Sequence, residues 1–502
     1  MRNFLAAAAI LAFATVAVRG EPRGQGTVSL VDGTETQCEV LFEHPNAKVL
    51  VVRSARNSTV QGLPLAEVHK VTVAGKTTEY SPKRALTEDR KKAREADRLW
   101  GDEVSPKQIG RYGDQKWEKK PLIVWARPGV SADAMKPESW LDETGKPLTA
   151  GPWKLDPPNS KGGASTGEFD ADVLLPAASE AYDAIQPGNR DHLGAFRIRH
   201  LTVENNAGYN VRYTVRGNLW IKQGSAIGAG TQTGGIGSGE GKHTFMRFCG
   251  PRRPGKKGPV DPEWAGVSHW VMIDAGESGS VEMVGKSGGA GDRLTLEKGT
   301  LIVSEDSYIG NGPRASFYSK PGTTTVLLDG AAIGCRDRVL CGRRATYGVA
   351  GTLMFGTPEH PLRRDLRFEG TLFNYEDLAP EASPGQRTGG ASFVLGSTGR
   401  MAVHSADPTK ARVIFSPRPE DAPYSSYAVG PRAGGREMPT GVAAIFTGQT
   451  DFDGVVFDGF YKAGIVVSPQ ARAKWKNVSF GQHNQGKPDE LFRTPGEAGS
   501  RQ

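Results

Sequence analysis

The chain has 502 residues, with 63 Lys and Arg against 55 Asp and Glu, a formal net charge of +8, 37% hydrophobic residues, 65 Gly and four Cys. That apolar share can build a core and excludes a disordered polyelectrolyte, the glycines follow no every-third-residue rule and so exclude collagen, and so few cysteines exclude a small disulfide scaffold. Only one long apolar run is present, which excludes a multi-span membrane protein.

That run opens the chain. Residues 1–20, MRNFLAAAAILAFATVAVRG, place Arg2 before an apolar stretch from Phe4 to Val18. A basic residue, a short apolar core and small residues beyond it form the pattern of a secretory signal peptide. The stretch falls short of the ~20 residues a membrane span needs, so export to the cell envelope, periplasm or exterior is expected, with no membrane span. Export permits disulfides. Cys335 and Cys341 in GCRDRVLCG are expected to form a local bridge, whereas Cys38 and Cys249 cannot be paired from the sequence.

Residues 24–80 read as short alternating strands around turns such as Asp32-Gly33. They predict a small SH3-like β-barrel module without a catalytic constellation; His44 and His69 stand alone and read as structural. Residues 83–100 predict a charged, solvated helix or linker, with most of the positions at 83–98 charged. Residues 101–165 are rich in Trp and turn residues, including Trp117, Trp125 and Trp140, and predict an irregular segment. Its tryptophans serve core packing more readily than sugar stacking.

From about residue 168 the pattern is all-β. An apolar residue followed by Gly recurs at nearly even spacing at Gly285, Gly310, Gly334 and Gly356, and also at Gly228. A period of roughly 22–25 residues, made of short strands and Gly turns, marks a solenoid. The expectation is a right-handed parallel β-helix over 168–480. Residues 229–266, rich in Gly, read as a loop insertion that offsets the first interval. A β-sandwich also has closely spaced strands, but gives no reason for one tail to repeat at this interval. Residues 483–502 are expected to be a disordered tail.

Candidate chemistry is sparse. In DFDGVVFDG, Asp451 and Asp453 alternate with Phe452 and so share one side of a strand, with Asp458 following. Paired carboxylates serve as acid and base on a sugar or bind Ca2+, although Asp-Gly is also ordinary turn chemistry; Ca2+ is thus the one cofactor that suggests itself. Arg338, between the two expected bridge cysteines, suits a charge clamp on a uronate. Arg252 and Arg253 in the glycine-rich insertion suit a polyanion, and Trp270 opens the run WVMID with an aromatic face. GGIGSGEGKHT superficially resembles a phosphate loop, but Lys242 is followed by His243 where Ser or Thr belongs. No H-E-x-x-H, C-x-x-C or G-x-S-x-G motif occurs, nor does a nucleic-acid-binding module.

Two stretches resemble known families. DADVLLPAAS, RIRHLTVENN and VRGNLWIKQGSAIGAG, within 168–237, resemble the eight-glycine domain of extracellular hyaluronan-processing proteins. TDFDGVVFDGFYKAGIVV resembles the late coils of pectin-lyase-like β-helix proteins. The resemblance implies a largely secreted, glycan-handling architecture, and lyases of that kind use Arg or Lys as the base, which makes Arg336 a catalytic candidate beside Asp451, Asp453 and Asp458. The expectation is a secreted protein that binds or processes carbohydrate, above all an anionic polysaccharide; as an enzyme it would be a polysaccharide lyase or glycoside hydrolase. The alternative is a non-catalytic surface or envelope protein built for structure or interaction.

Overall fold

The computed structural model describes residues 23–55, 58–88, 117–151, 154–155, 167–168, 171–185, 196–211, 213–222, 225–227, 233–237, 242–248, 265–267, 270–284, 293–303, 308–309, 316–333, 346–369, 392–416, 444–460, 462, 464–484 and 486–493. The chain is all-β, with an antiparallel sheet near the N-terminus and a long parallel sheet after it.

The antiparallel sheet comprises β1 (Gly24–Leu30), β2 (Glu35–Glu43), β3 (Val49–Ser54), β4 (Val60–Pro64), β5 (Val68–Val73) and β6 (Lys76–Glu79), in the order β4-β3-β2-β1-β5-β6. The turn at Asp32-Gly33 forms as its residues demand: Asp32 Oδ1 accepts from Thr34 N at 2.9 Å, and Gly33 takes φ +89°. Every residue of β3 is buried. Leu50 and Val52 join Val28, Cys38, Val40 and Val71 in one core, whereas Val49 and Val51 turn the other way to pack on Leu122, Val124 and Leu174 of the parallel region. Strand alternation thus gives one strand two cores.

The parallel region is three ladders that the chain visits in rotation. Over the last coils the order is Thr346–Val349, Thr352–Phe355, Leu366–Glu369, then Ser392–Leu395, Arg400–Val403, Val413–Ser416, then Ala444–Phe446, Gln449–Asp453, Val455–Phe457, then Ile465–Val467, Lys474–Lys476, Ser479–Phe480. Each strand pairs in parallel with its counterpart one coil later. Inward columns follow from the register. Val271, Leu294 and Phe317 stand in line, evenly spaced along the chain, and all are buried. Leu301, Thr325, Leu353 and Met401 form an equivalent column on the second ladder. Toward the C-terminal end the interior becomes a cluster of Phe355, Phe415, Phe446, Phe452 and Phe457.

Several expectations need correction. The parallel pairing begins at Leu122–Trp125, which pairs with Ala171–Leu175, inside the segment expected to be irregular. Trp125 and Trp140 are buried there at an edge-to-face separation of 4.9 Å, so these tryptophans pack the first coil. The glycine-rich stretch 229–266 is not one loop: Thr233–Ile236 and His243–Phe248 are rungs of two ladders. Composition obscured the alternation of HTFMRF, in which Thr244 and Met246 are buried. Of the expected helical linker, residues 83–87 show no helix and 89–116 lie outside the described residues. The expected tail contributes Phe492–Arg493, which pairs with Ile465–Val467. Residues 1–20 also fall outside the description.

Candidate functional site

The three candidate aspartates lie near the C-terminal end of the stack. In Gln449–Asp453, Thr450 and Phe452 are buried, while Asp451 and Asp453 alternate outward. The next strand, Lys474–Lys476, sets Lys474 opposite Asp451 and Lys476 opposite Asp453. Asp453 Oδ1 accepts from Asn477 Nδ2 at 2.7 Å, and its Oδ2 lies 3.3 Å from Lys476 Nζ. The chain then turns at Gly454 (φ +72°) onto the third ladder.

Asp458, just past that ladder strand, is buried and committed to another partner. His483 Nδ1 lies 2.9 Å from its Oδ2, and the His483 backbone N–H donates to Oδ1 at 3.1 Å. Gly481 makes room for the carboxylate, since a Cβ there would fall 2.2 Å from Asp458 Oδ1. Asn484 holds the same turn by donating to the carbonyls of Phe457 and Gly481 at 2.8 and 3.0 Å. Asp451 and Asp453 therefore share one ladder, and Asp458 is on the next, engaged by an imidazole. Among the described residues no group of three or more His, Cys, Asp or Glu is placed to hold a metal ion, and the oxygens of Asp453 already face an ammonium and an amide donor.

Trp270 opens the strand Trp270–Asp274, in register with Arg293. Arg252, Arg253, Arg336, Arg338, Cys249, Cys335 and Cys341 lie outside the described residues. No disulfide is present among the described residues, and Cys38 is buried in the core of the antiparallel sheet.

The sequence reading missed the segment RAKWK at 472–476. Its signal was legible: cations interleaved with an aromatic, a composition that suits an anionic polymer. Trp475 is 48% exposed. Its ring lies 4.4 Å from Phe452 at 30°, and meets Phe492 edge-on at 5.6 Å. Lys474, Lys476 and Arg472 beside it in the chain are exposed too. Arg472 adopts the left-handed conformation (φ 45°) that ends the short turn Pro469–Ala471 and sends the chain into the strand. Among the described residues Lys474–Lys476 pairs on one edge only, with Gln449–Asp453. The half-exposed ring thus rests on the buried Phe452 and the partly buried Phe492, while Lys474 and Lys476 alternate to the other side of the strand, in register with Asp451 and Asp453.

No protein-family model, no curated protein and no solved structure matches the chain.

Proposed function

We propose that this chain is an exported parallel β-helix that binds an anionic polysaccharide along the strand Lys474–Lys476 at its C-terminal end. Three ladders visited in rotation support the β-helix, and the right-handed preference of parallel crossovers supports its hand. The strand order of the N-terminal sheet supports an SH3-like module beside it. The observation that carries the binding reading is Trp475, an exposed ring anchored on Phe452 in a segment whose Arg472, Lys474 and Lys476 are exposed as well. A pyranose offers C–H faces to such a ring, and the carboxylates or sulfates of neighbouring units, passing over the strand edge, would meet the lysines on its other side. The pairing of Asp453 with Lys476 and Asn477, and of Asp458 with His483, favours binding over hydrolysis by paired carboxylates here.

The test is titration with polygalacturonate, heparin and neutral dextran. Binding to the two polyanions but not to dextran is expected, weakening with salt. Trp475→Ala should reduce affinity at least tenfold, about 1.4 kcal/mol, and Lys474→Glu/Lys476→Glu should abolish it. Equal affinity in all three proteins, or no polyanion binding by the parent, overturns the reading.

One observation favours the alternative of a non-catalytic surface protein. The outer side of the second ladder carries Ser280, Thr300, Thr324 and Thr352 in register, a run of hydroxyls that precedes Arg400. Retention on cell-envelope preparations that is indifferent to Trp475→Ala and to competing polyanion would select that reading.

A further inference from the structure

Far along the same ladder from Trp475, two neighbouring rungs bring together a serine, a histidine and a glutamate. The strands His243–Phe248 and Ser280–Val284 pair in parallel with His243 opposite Ser280. His243 Nδ1 lies 2.5 Å from Ser280 Oγ. On the other side of the ring, His243 Nε2 lies 3.3 Å from Glu282 Oε2. Glu282 follows Ser280 by two positions, so alternation sets both on the outer side, while Val281 and Met283 point into the core and are buried. The carboxylate is fully buried and the imidazole nearly so, whereas Ser280 keeps part of its surface exposed. The ring of Phe245 packs edge-on against His243 at 5.2 Å, fixing its plane. Ser280 is anchored from behind by its backbone N–H, which donates to Lys242 O at 2.9 Å.

We propose that Ser280, His243 and Glu282 form a nucleophile–base–carboxylate site that hydrolyses carboxylic esters. A hydroxyl within hydrogen-bond reach of an imidazole that a third group orients is the arrangement that activates a serine, and it is recognised by geometry and not by chain order. For Ser280 to donate to Nδ1 the ring proton must reside on Nε2, which lies 3.3 Å from Glu282 Oε2. Ser280 Oγ attacks the acyl carbon as its proton passes to Nδ1, and Glu282 faces the imidazolium that forms. Collapse expels the alkoxide, which takes that proton and leaves as the alcohol. Water then attacks the acyl-serine, His243 again taking and returning a proton, so that ester and water give acid and alcohol. Thr300, in register with Ser280 one coil on, places a hydroxyl beside the nucleophile to donate to the oxygen that gains charge. Burial pushes the His243 imidazole down to about 3, so it is neutral across the physiological range.

The experiment uses the full chain, a fluorophosphonate probe and p-nitrophenyl acetate. One probe per chain on Ser280, located by peptide mass spectrometry, is expected, with ester turnover that Ser280→Ala abolishes. Glu282→Gln should slow labelling at least tenfold. The labelling rate should be flat from pH 6 to 8, because His243 holds the same charge throughout. A rate rising tenfold per pH unit there would show an unassisted hydroxyl and overturn the assignment. So would a folded parent chain that takes up no probe at Ser280, or a Ser280→Ala chain that keeps full turnover. Should His243→Gln fail to fold, Ser280→Ala and the pH profile still decide. Saturating polygalacturonate is expected to leave the labelling rate unchanged, which separates this site from the polysaccharide reading.

Discussion

Phe457 sits at the centre of the aromatic interior of the C-terminal coils. Its side chain is fully buried. It stacks on Phe415 at 5.9 Å and Phe480 at 6.1 Å, and meets Phe452, Phe460 and Phe492 edge-on at 5.6, 5.8 and 6.0 Å. Phe457→Ala removes the ring that these neighbours share. Core Phe→Ala changes cost ~3–5 kcal/mol, and aromatic pairs add ~0.5–1.5 kcal/mol beyond burial. With so many partners around one residue, the upper end of that range, about 5 kcal/mol, is expected. Coils touch only their neighbours, so the loss should stay local. Hydrogen exchange read by mass spectrometry should show protection lost across residues 444–480 and kept across 271–303. A loss below about 2 kcal/mol, less than a core Phe→Ala change costs, or one spread evenly over both regions, would refute the reasoning. Because Trp475 rests on Phe452 beside this cluster, the variant should also weaken polyanion binding.

Two other perturbations probe the junction of sheet and ladder. Asp172 is fully buried, accepts two hydrogen bonds from Arg199 and lies 3.9 Å from Arg53. Asp172→Ala should cost ~3–5 kcal/mol by leaving buried guanidinium groups uncompensated, and Asp172→Leu/Arg199→Met should recover most of it; a denaturation midpoint unchanged by the single substitution contradicts this. Burial also holds His44, His200 and His243 below the ordinary histidine value of 6.5. Each binds its proton more readily when unfolded, so stability is present above pH 6.5 and is lost as pH falls toward the folded value. For His243, at about 3 when folded, the loss between pH 6.5 and 5 is about 2 kcal/mol. The titration of Asp172 acts in the opposite sense: burial raises its carboxyl, so the proton-linked part of its contribution is full below the unfolded 3.8 and is lost as pH rises through the folded value, while the bonds to Arg199 remain. Denaturant titrations at pH 6.5 and 5 should therefore show a steeper fall in the parent than in His243→Gln; equal falls would contradict the assignment.

What the sequence made legible follows from alternation. Asp451 and Asp453 share a side because Thr450 and Phe452 fill the other. The repeated apolar-Gly tail marked real rungs: Ile309, before Gly310, pairs with Ile333, before Gly334. Yet the tail mixed two ladders, since Phe355, just before Gly356, belongs to the second. Uneven coil length hid the rest. His243 and Ser280 are neighbours on one ladder, as are Met401 and Thr450, although long stretches of chain separate each pair. A ladder fixes where a coil returns and not how much chain it spends outside. The partner of Asp458 was hidden for a related reason: His483 lies in a polar end that composition reads as a tail. Glu204 shows the same limit between elements, accepting at 2.8 Å from the backbone N–H of Gly62, which lies in the N-terminal sheet.

The stacking of coils in this register is the claim on which the binding strand and the serine site both stand, and cross-linking tests it most directly. Thr300 pairs with Thr324, and Thr324 with Thr352. Adjacent parallel strands lie ~4.8 Å apart, within the Cα separation a disulfide spans, whereas alternate strands lie about twice as far, beyond its reach. Under mild oxidation, Thr300→Cys/Thr324→Cys is expected to form an intramolecular bridge and Thr300→Cys/Thr352→Cys is not. A bridge in the second pair, or none in the first, would contradict the stack.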